Sequence, residues 1–277
     1  MPRSISFGFS PCPNDTFAFH ALVNQSLAGD ELTVRPVLAD VQELNRRALA
    51  AELELSKLSF SALAHVADDY WLLRSGAALG RGCGPLVVTR PECRGLDLGR
   101  AKVASPGPMT TAHLLLGLYL GQEPQARHMV FSQVMPAVAA GDCDAGVIIH
   151  EGRFTYGQYG LVEVVDLGRW WEETTGLPIP LGCIAARRDL GRDLAGRLED
   201  LLARSVARAQ AEPTASREFV LAHAQEMGHE VVAQHIALYV NDFSRELGDL
   251  GLAAVDEMMA RGTAAGLLPP ARADLLL

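Results

Sequence analysis

Residues 10–22 read SPCPNDTFAFHAL, and the junction they describe decides the fold class. The preceding SISFGF alternates apolar and polar side chains and so predicts a short strand. Pro11 and Pro13 stiffen the turn after it, and Asn14, Asp15 and Thr16 are residue types that close helix N-termini by accepting orphan backbone N–H bonds. The stretch therefore reads strand, rigid turn, helix start. In an open α/β sheet that junction lies at the carboxyl edge of a strand, where ligands bind. A plain helix cap and a ligand loop both fit these residues taken alone.

The same alternation continues outward. LTVRPVLAD (32–40) is strand-like and VQELNRRALAAE (41–52) helical; LELSKLSF (53–60) is a short strand ending in hydroxyls, and SALAHVADDYWLL (61–73) continues as a helix. SGAALGRGCGPLVVT (75–89) reads as a glycine-rich turn feeding a buried strand. KVASPG, MTTAHLLLGLYLG, RHMVF, VMPAVAAGD and AGVIIHEG then repeat strand and helix up to residue 152, and LGCIAARRDL (181–190) adds one more strand. Such alternation predicts an α/β fold with a largely parallel sheet and helices on its faces. Beyond it the pattern is helical: Leu194, Leu198, Leu201, Leu202, Val206 and Ala209 share one helix face, and further helices are predicted around 214–227, 230–241 and 252–266. Two β/α blocks with crossovers near 84–90 and 181–188 predict two lobes around a hinged cleft, a larger discontinuous lobe of 1–88 plus 185–277 and a smaller one of 89–184.

Bulk composition narrows the function classes. The chain has 277 residues, 49% hydrophobic and 21% charged, as in an ordinary globular protein. A formal net charge of −9 without any Lys/Arg-rich run argues against nucleic-acid or anionic-membrane partners and favours a small molecule. No secretory signal and no uncharged run long enough to cross a bilayer are evident, and five cysteines without CxxC spacing fit reduced thiols, so the expected location is the cytoplasm.

Four stretches are predicted to reach the cleft: Asn14–Asp15–Thr16, SKLS (56–59), MTT (109–111) and IIHEGRF (148–154). The first three combine hydroxyls or amides with a helix start, an arrangement that suits a carboxylate or phosphate. His150 ends an apolar strand beside Glu151 and Arg153, where a neutral imidazole can take a proton near physiological pH. A partly buried histidine hydrogen-bonded to the backbone also fits the pattern. The other seven histidines fall mostly on predicted helices and read as packing or surface residues. Cys12 reads as structural, Lys57 as either an anion partner or a solvated charge, and Trp170–Trp171 with RFTYGQYG as aromatic surface for a ring-shaped ligand or a lobe interface. GxxxxGK[ST], GxGxxG after a strand, HExxH and GxSxG are all missing, so nucleotide, metal and serine-hydrolase chemistry lose support.

GFSPCPNDTFAFHALV, SKLSFSAL, LRSGAALGRGCGPLVV, the paired threonines of PMTTAHLLL, the run from AGVIIHEGRFTY to LPIPLG and YVNDFS together resemble the 1,4-dihydroxy-6-naphthoate synthases of the futalosine pathway of menaquinone biosynthesis. The resemblance covers nearly the whole chain. It implies a type II periplasmic-binding-protein-like fold used as a cytosolic enzyme, a carbon–carbon lyase that needs no metal and no organic cofactor. The implied reaction splits cyclic dehypoxanthinyl futalosine, a small-molecule carboxylate, into 1,4-dihydroxy-6-naphthoate and dihydroxyacetone. By the same resemblance His150 is the proton acceptor, Lys57, Leu58, Ser59, Thr110 and Thr111 bind substrate, and Asn14, Asp15 and Thr16 shape the cleft's other wall. Met109 departs from the pattern, where a polar residue is expected. The competing readings are a solute-binding protein of the same fold that holds its ligand unchanged, and the pathway's chorismate dehydratase, which has a different N-terminal loop. A homodimer through the C-terminal helices is left open.

Overall fold

The first strand, β1 (Arg3–Phe9), buries Ile5, Phe7 and Phe9 on one face, and helix α1 (Pro13–Val23) closes back over it. Phe7, Phe9 and Phe19 meet with ring centroids 5.0–5.5 Å apart in tilted and edge-on contacts. Each such pair adds about 0.5–1.5 kcal/mol beyond the burial of its area. This cluster anchors the strand–turn–helix junction. The computed structural model describes residues 2–24, 27, 31–224 and 228–277.

The chain continues through β2 (Leu32–Leu38), α2 (Val41–Leu49), β3 (Leu55–Ser59), α3 (Phe60–His65), β4 (Tyr70–Leu72) and β5 (Ala78–Gly80). It then passes to a second set of elements: β6 (Leu86–Thr89), β7 (Val103–Ser105), α4 (Thr111–Leu120), β8 (Ala126–His128), α5 (Phe131–Ala139), β9 (Ala145–Ile148), α6 (Gly152–Thr155), β10 (Val162–Asp166) and α7 (Leu167–Thr175). It returns along β11 (Ile179–Arg187) and ends in α8 (Arg192–Ala211), α9 (Arg217–His223), α10 (His229–Tyr239), α11 (Asp242–Arg245) and α12 (Gly248–Ala264). Two sheets result. One has the order β2-β1-β3-β11-β4, with β5 also paired to β11, and the other β10-β6-β9-β7-β8.

Neither sheet is largely parallel, which corrects the expectation from alternation alone. β1 pairs in parallel with β2 and β3, as β7 does with β8 and β9. The crossover strands run the other way: β11 is antiparallel to β3, β4 and β5, and β6 to β9 and β10. A strand that enters a sheet from the neighbouring one arrives without the right-handed helical connection that makes successive strands parallel.

Two further expectations are corrected. The predicted helix 61–73 stops at His65, because Tyr70, Trp71 and Leu72 pair with Arg187, Ala186 and Ala185 of β11. Ring-bearing residues fit a half-buried pleated surface, and tertiary pairing overrides helical spacing here. Trp171 is fully buried, its indole N–H donating to the Pro178 carbonyl at 3.1 Å, so it is core rather than ligand surface. Trp170 stands edge-on to Tyr119.

The C-terminal third is helical as read, and α8 buries Leu198, Leu201, Leu202, Val206 and Ala209. Ser205 within that face binds α1, donating to the Ala18 carbonyl and accepting from the Leu22 N–H. Residues 225–227 of the predicted helix 214–227 lie outside the described residues. The chain end bridges Leu276 to Leu72 beside β4. Where the chain first crosses between sheets, Cys83 presses against the start of α7 so closely that a Cβ on Gly168 would stand 1.8 Å from the Cys83 carbonyl oxygen. Only glycine fits there. Gly84 beside it sits at φ +116°, and together they fix the turn that feeds β6.

Candidate active site

Ser10, Cys12, Asn14 and Asp15 come from the junction after β1. Cys12 is the N-cap of α1 and makes no side-chain cap bond, and Pro13 is the first helical residue. Asn14, Asp15 and Thr16 are therefore in the first turn rather than at the cap. Proline suits that first position, where its missing N–H would have no helical partner. Freed from capping, Asp15 turns back: it accepts from the Ser10 N–H at 3.2 Å and the Ser10 hydroxyl at 2.8 Å. Its other oxygen accepts from Lys57 Nζ at 2.8 Å and Asn14 Nδ2 at 2.9 Å. Both members of the Lys57–Asp15 pair are almost wholly buried. Lys57 also reaches the Gly76 carbonyl at 3.4 Å.

Strand alternation sorts the SKLS residues. Lys57 and Ser59 face the pocket, while Leu58 points into the hydrophobic core. Ser59 precedes α3 without capping it; its hydroxyl accepts from Asn45 Nδ2 at 3.1 Å. The Asn45 amide also reaches the Met109 carbonyl at 3.4 Å. The departure at Met109 thus leaves a backbone contact that any residue would supply. Thr110 is a true cap of α4, accepting from the His113 N–H at 3.3 Å and donating to the Gly107 carbonyl at 2.8 Å. Thr111 donates to the Leu181 carbonyl of β11 at 2.7 Å, tying α4 to the other sheet. Of the three expected capped starts, the side chain caps only at Thr110.

His150 follows β9 at φ +55°, in the left-handed region that a non-glycine residue occupies at a cost of roughly 1–2 kcal/mol. Its ring stands edge-on to Phe131, centroids 5.0 Å apart, and nearly parallel to His235 at 6.3 Å. Nδ1 lies 3.6 Å from Cys12 Sγ. Burial by itself lowers the imidazole's pKa, but the adjacent Cys12 with its hydrogen bond, and the Glu151 and Asp15 carboxylates, raise it to about 9. Thr16 bonds only backwards, to the Cys12 and Pro13 carbonyls.

These groups surround a pocket whose empty space is about 680 Å³ when the open solvent at its mouth is counted. Asn14, Asp15, Lys57, Ser59, Thr110, Thr111 and His150 all line it; Thr16 and Leu58 do not. Ser10, His235 and Tyr239 also line it. From the sequence His235 reads as a packing or surface residue and Tyr239 stands only within the motif YVNDFS; no spacing marks either for the pocket, because their place depends on α10 docking against α1. His235 Nε2 lies 3.0 Å from Asn14 Oδ1, and burial, then the nearby His150, lowers its pKa to about 3. Its Nδ1 is buried without a partner among the described residues.

Two mixed α/β sheets crossed twice by the chain, with polar groups from both converging on one pocket, define a periplasmic-binding-protein-like fold. The alkanesulfonate-binding protein SsuA from Xanthomonas axonopodis pv. citri, bound to MOPS, superposes with a TM-score of 0.72 at 16% identity, covering 97% of this chain and 95% of that one. A crystal structure of a protein from Archaeoglobus fulgidus superposes at 0.89 with 33% identity, covering 96% and 98%. The protein-family profile described as menaquinone biosynthesis matches residues 5–264. The 1,4-dihydroxy-6-naphthoate synthase of Thermus thermophilus is 49% identical over 275 residues, covering 99% of this chain and all of that one. The chain belongs to this menaquinone-biosynthesis family.

Proposed function

We propose that the protein is a carbon–carbon lyase that converts cyclic dehypoxanthinyl futalosine into 1,4-dihydroxy-6-naphthoate and dihydroxyacetone, with His150 as proton acceptor. The observation that carries this reading is the left-handed His150, pinned between Phe131 and Cys12 at the pocket's edge. Strain of this kind persists where surrounding structure holds it, and it clusters at active sites. The cleavage needs a base to take a hydroxyl proton and a place for negative charge to develop. The Ser59 hydroxyl, which accepts from Asn45, and the positive end of α4 at Thr110–Thr111, whose own hydroxyls are donated to backbone carbonyls, would hold the substrate carboxylate. Closing the lobe of 89–184 against that of 1–88 plus 185–277 would exclude water and align the scissile bond.

Protonation decides how His150 works. With its pKa raised to about 9, the imidazole is neutral in a share that grows as pH rises toward 9. That neutral form is the acceptor. Cys12→Ser removes the neighbour that most raises the imidazole's pKa and leaves burial to act, so the His150 titration, followed by NMR, should move down from about 9. A titration that stays put would take Cys12 out of the mechanism.

Turnover of cyclic dehypoxanthinyl futalosine by wild type and by His150→Asn, read by chromatography of the naphthoate product, tests the whole reading. Product from wild type and almost none from the variant supports it. Binding of the intact compound without product would make the protein a receptor instead.

A further inference from the structure

His235 lines the pocket, is 1% exposed and has no part in the chemistry proposed above. Its hydrogen-bond neighbours fix its tautomer. Asp15, paired with Lys57, accepts from Asn14 Nδ2, so the amide nitrogen of Asn14 is turned to Asp15 and its oxygen to His235. An amide oxygen only accepts, so His235 Nε2 carries the hydrogen. A neutral imidazole has one N–H, and Nδ1 is therefore a bare lone pair. That lone pair is buried without a partner among the described residues. An unmet buried acceptor of this kind costs roughly 1–3 kcal/mol, which a donor would recover.

We propose that His235 is a ligand-contacting residue whose Nδ1 accepts a hydrogen bond from a hydroxyl of the substrate's sugar-derived ring. The proposal rests on the lyase reading for the identity of the substrate. Nδ1 is shielded from water in the present arrangement, so the α10 side of the pocket must shift as the ligand enters. A carboxylate is excluded there, because two acceptors repel. This fixes the ligand's orientation: its hydroxyl-bearing end lies along His235 and His150, whose rings are 6.3 Å apart, and its carboxylate lies toward Ser59, Thr110 and Thr111. A hydroxyl is thereby placed within the reach of His150, which the proposed proton transfer requires. His235 then selects for a hydroxyl donor at that end of the pocket.

Two variants separate this role from a structural one. In His235→Asn the amide stands near the place of Nδ1 and keeps an acceptor for the ligand while losing the bond to Asn14. In His235→Gln the amide reaches the place of Nε2 and keeps the bond to Asn14 while losing the acceptor. Ligand contact predicts that His235→Asn stays within a few-fold of wild-type kcat/KM and that His235→Gln falls roughly 10- to 100-fold, about the worth of one buried hydrogen bond. The reverse order overturns the proposal. A second readout covers variants that fail to fold: in wild type labelled with nitrogen-15 at histidine, adding cyclic dehypoxanthinyl futalosine should shift the bare Nδ1 resonance of His235 upfield as it accepts a bond. A bound compound that leaves that resonance unmoved overturns it too. Wild type that moves the resonance but forms no product would remove the lyase reading and leave His235 as a ligand contact.

Discussion

The two walls of the cleft reach the same pocket by different physics. On the wall built by β1, β3 and α10, the buried charges are paired and bonded in series from Lys57 through Asp15 and Asn14 to His235. On the wall built by β9 and α4, the key side chain stands on a strained residue, His150 at φ +55°, edge-on to Phe131, and a side-chain cap at Thr110 starts α4. The first wall ties its chemistry to the stability of the fold. The second carries its chemistry as a local cost that the fold tolerates.

His150→Asn should show the largest effect and the sharpest contrast. Losing a general base lowers turnover about 10²- to 10⁴-fold. Asparagine enters the left-handed region more readily than most side chains, so the melting temperature should hold or rise. Thermal unfolding beside the turnover assay checks both. A variant that is both inactive and strongly destabilised would erase the distinction between the walls.

Lys57→Met probes the opposite wall. It leaves the Asp15 carboxylate buried without its cation, and breaking such a pair costs about 3–5 kcal/mol. Urea unfolding should show that loss, and the double variant Lys57→Met with Asp15→Asn should recover much of it. If the single variant unfolds like wild type, the pair contributes nothing to stability and the first wall is no more tied to the fold than the second.

The junction at residues 10–22 shows how far the chain could be read in advance. Strand, turn and helix were legible there because proline and the apolar periods act locally. The side-chain roles were not, since Asp15 finds Lys57 forty-two positions away and Asn14 finds His235 two hundred and twenty-one positions away. Lys57, Ser59, Thr110, Thr111 and His150 lie in stretches that the strand-to-helix pattern places at the cleft, the resemblance adds their roles, and all of them line the pocket. Leu58 and Thr16 were carried along with their neighbours, although alternation along β3 and the helical turn of α1 direct them elsewhere. Strand direction was misread because alternation says nothing of a chain that leaves one sheet and returns to it antiparallel.

The neutral His235 gives the first wall a pH signature. Its folded pKa is lowered to about 3 by burial and by its neighbours His150 and Lys57, with Asp15 opposing. Between the unfolded value near 6.5 and about 3, the unfolded chain binds a proton that the folded chain refuses, so stability falls as pH falls through that window. The slope is about 1.4 kcal/mol per pH unit, or roughly 2–3 kcal/mol by pH 4.5. Wild type should lose that much more than His235→Asn on acidification, as measured by urea unfolding at several pH values. Parallel curves would mean that His235 is protonated in the folded protein.

Thr110→Ala carries the smallest effect and compares the two helix starts at the pocket directly. The Thr110 hydroxyl accepts from the His113 N–H and donates to the Gly107 carbonyl, so its removal strips the start of α4 of its only side-chain cap among the described residues. Loss of such a cap costs about 1 kcal/mol. Cys12 occupies the same position on α1 but makes no cap bond, and Pro13 already dispenses with one of that helix's orphan N–H groups. Cys12→Ala should therefore cost nothing through capping. Urea unfolding of both variants separates them: Thr110→Ala less stable by about 1 kcal/mol and restored by Thr110→Ser, which keeps the hydroxyl. Equal losses at both positions would mean that packing at the helix starts, rather than the hydroxyl, holds the Thr110 turn in place.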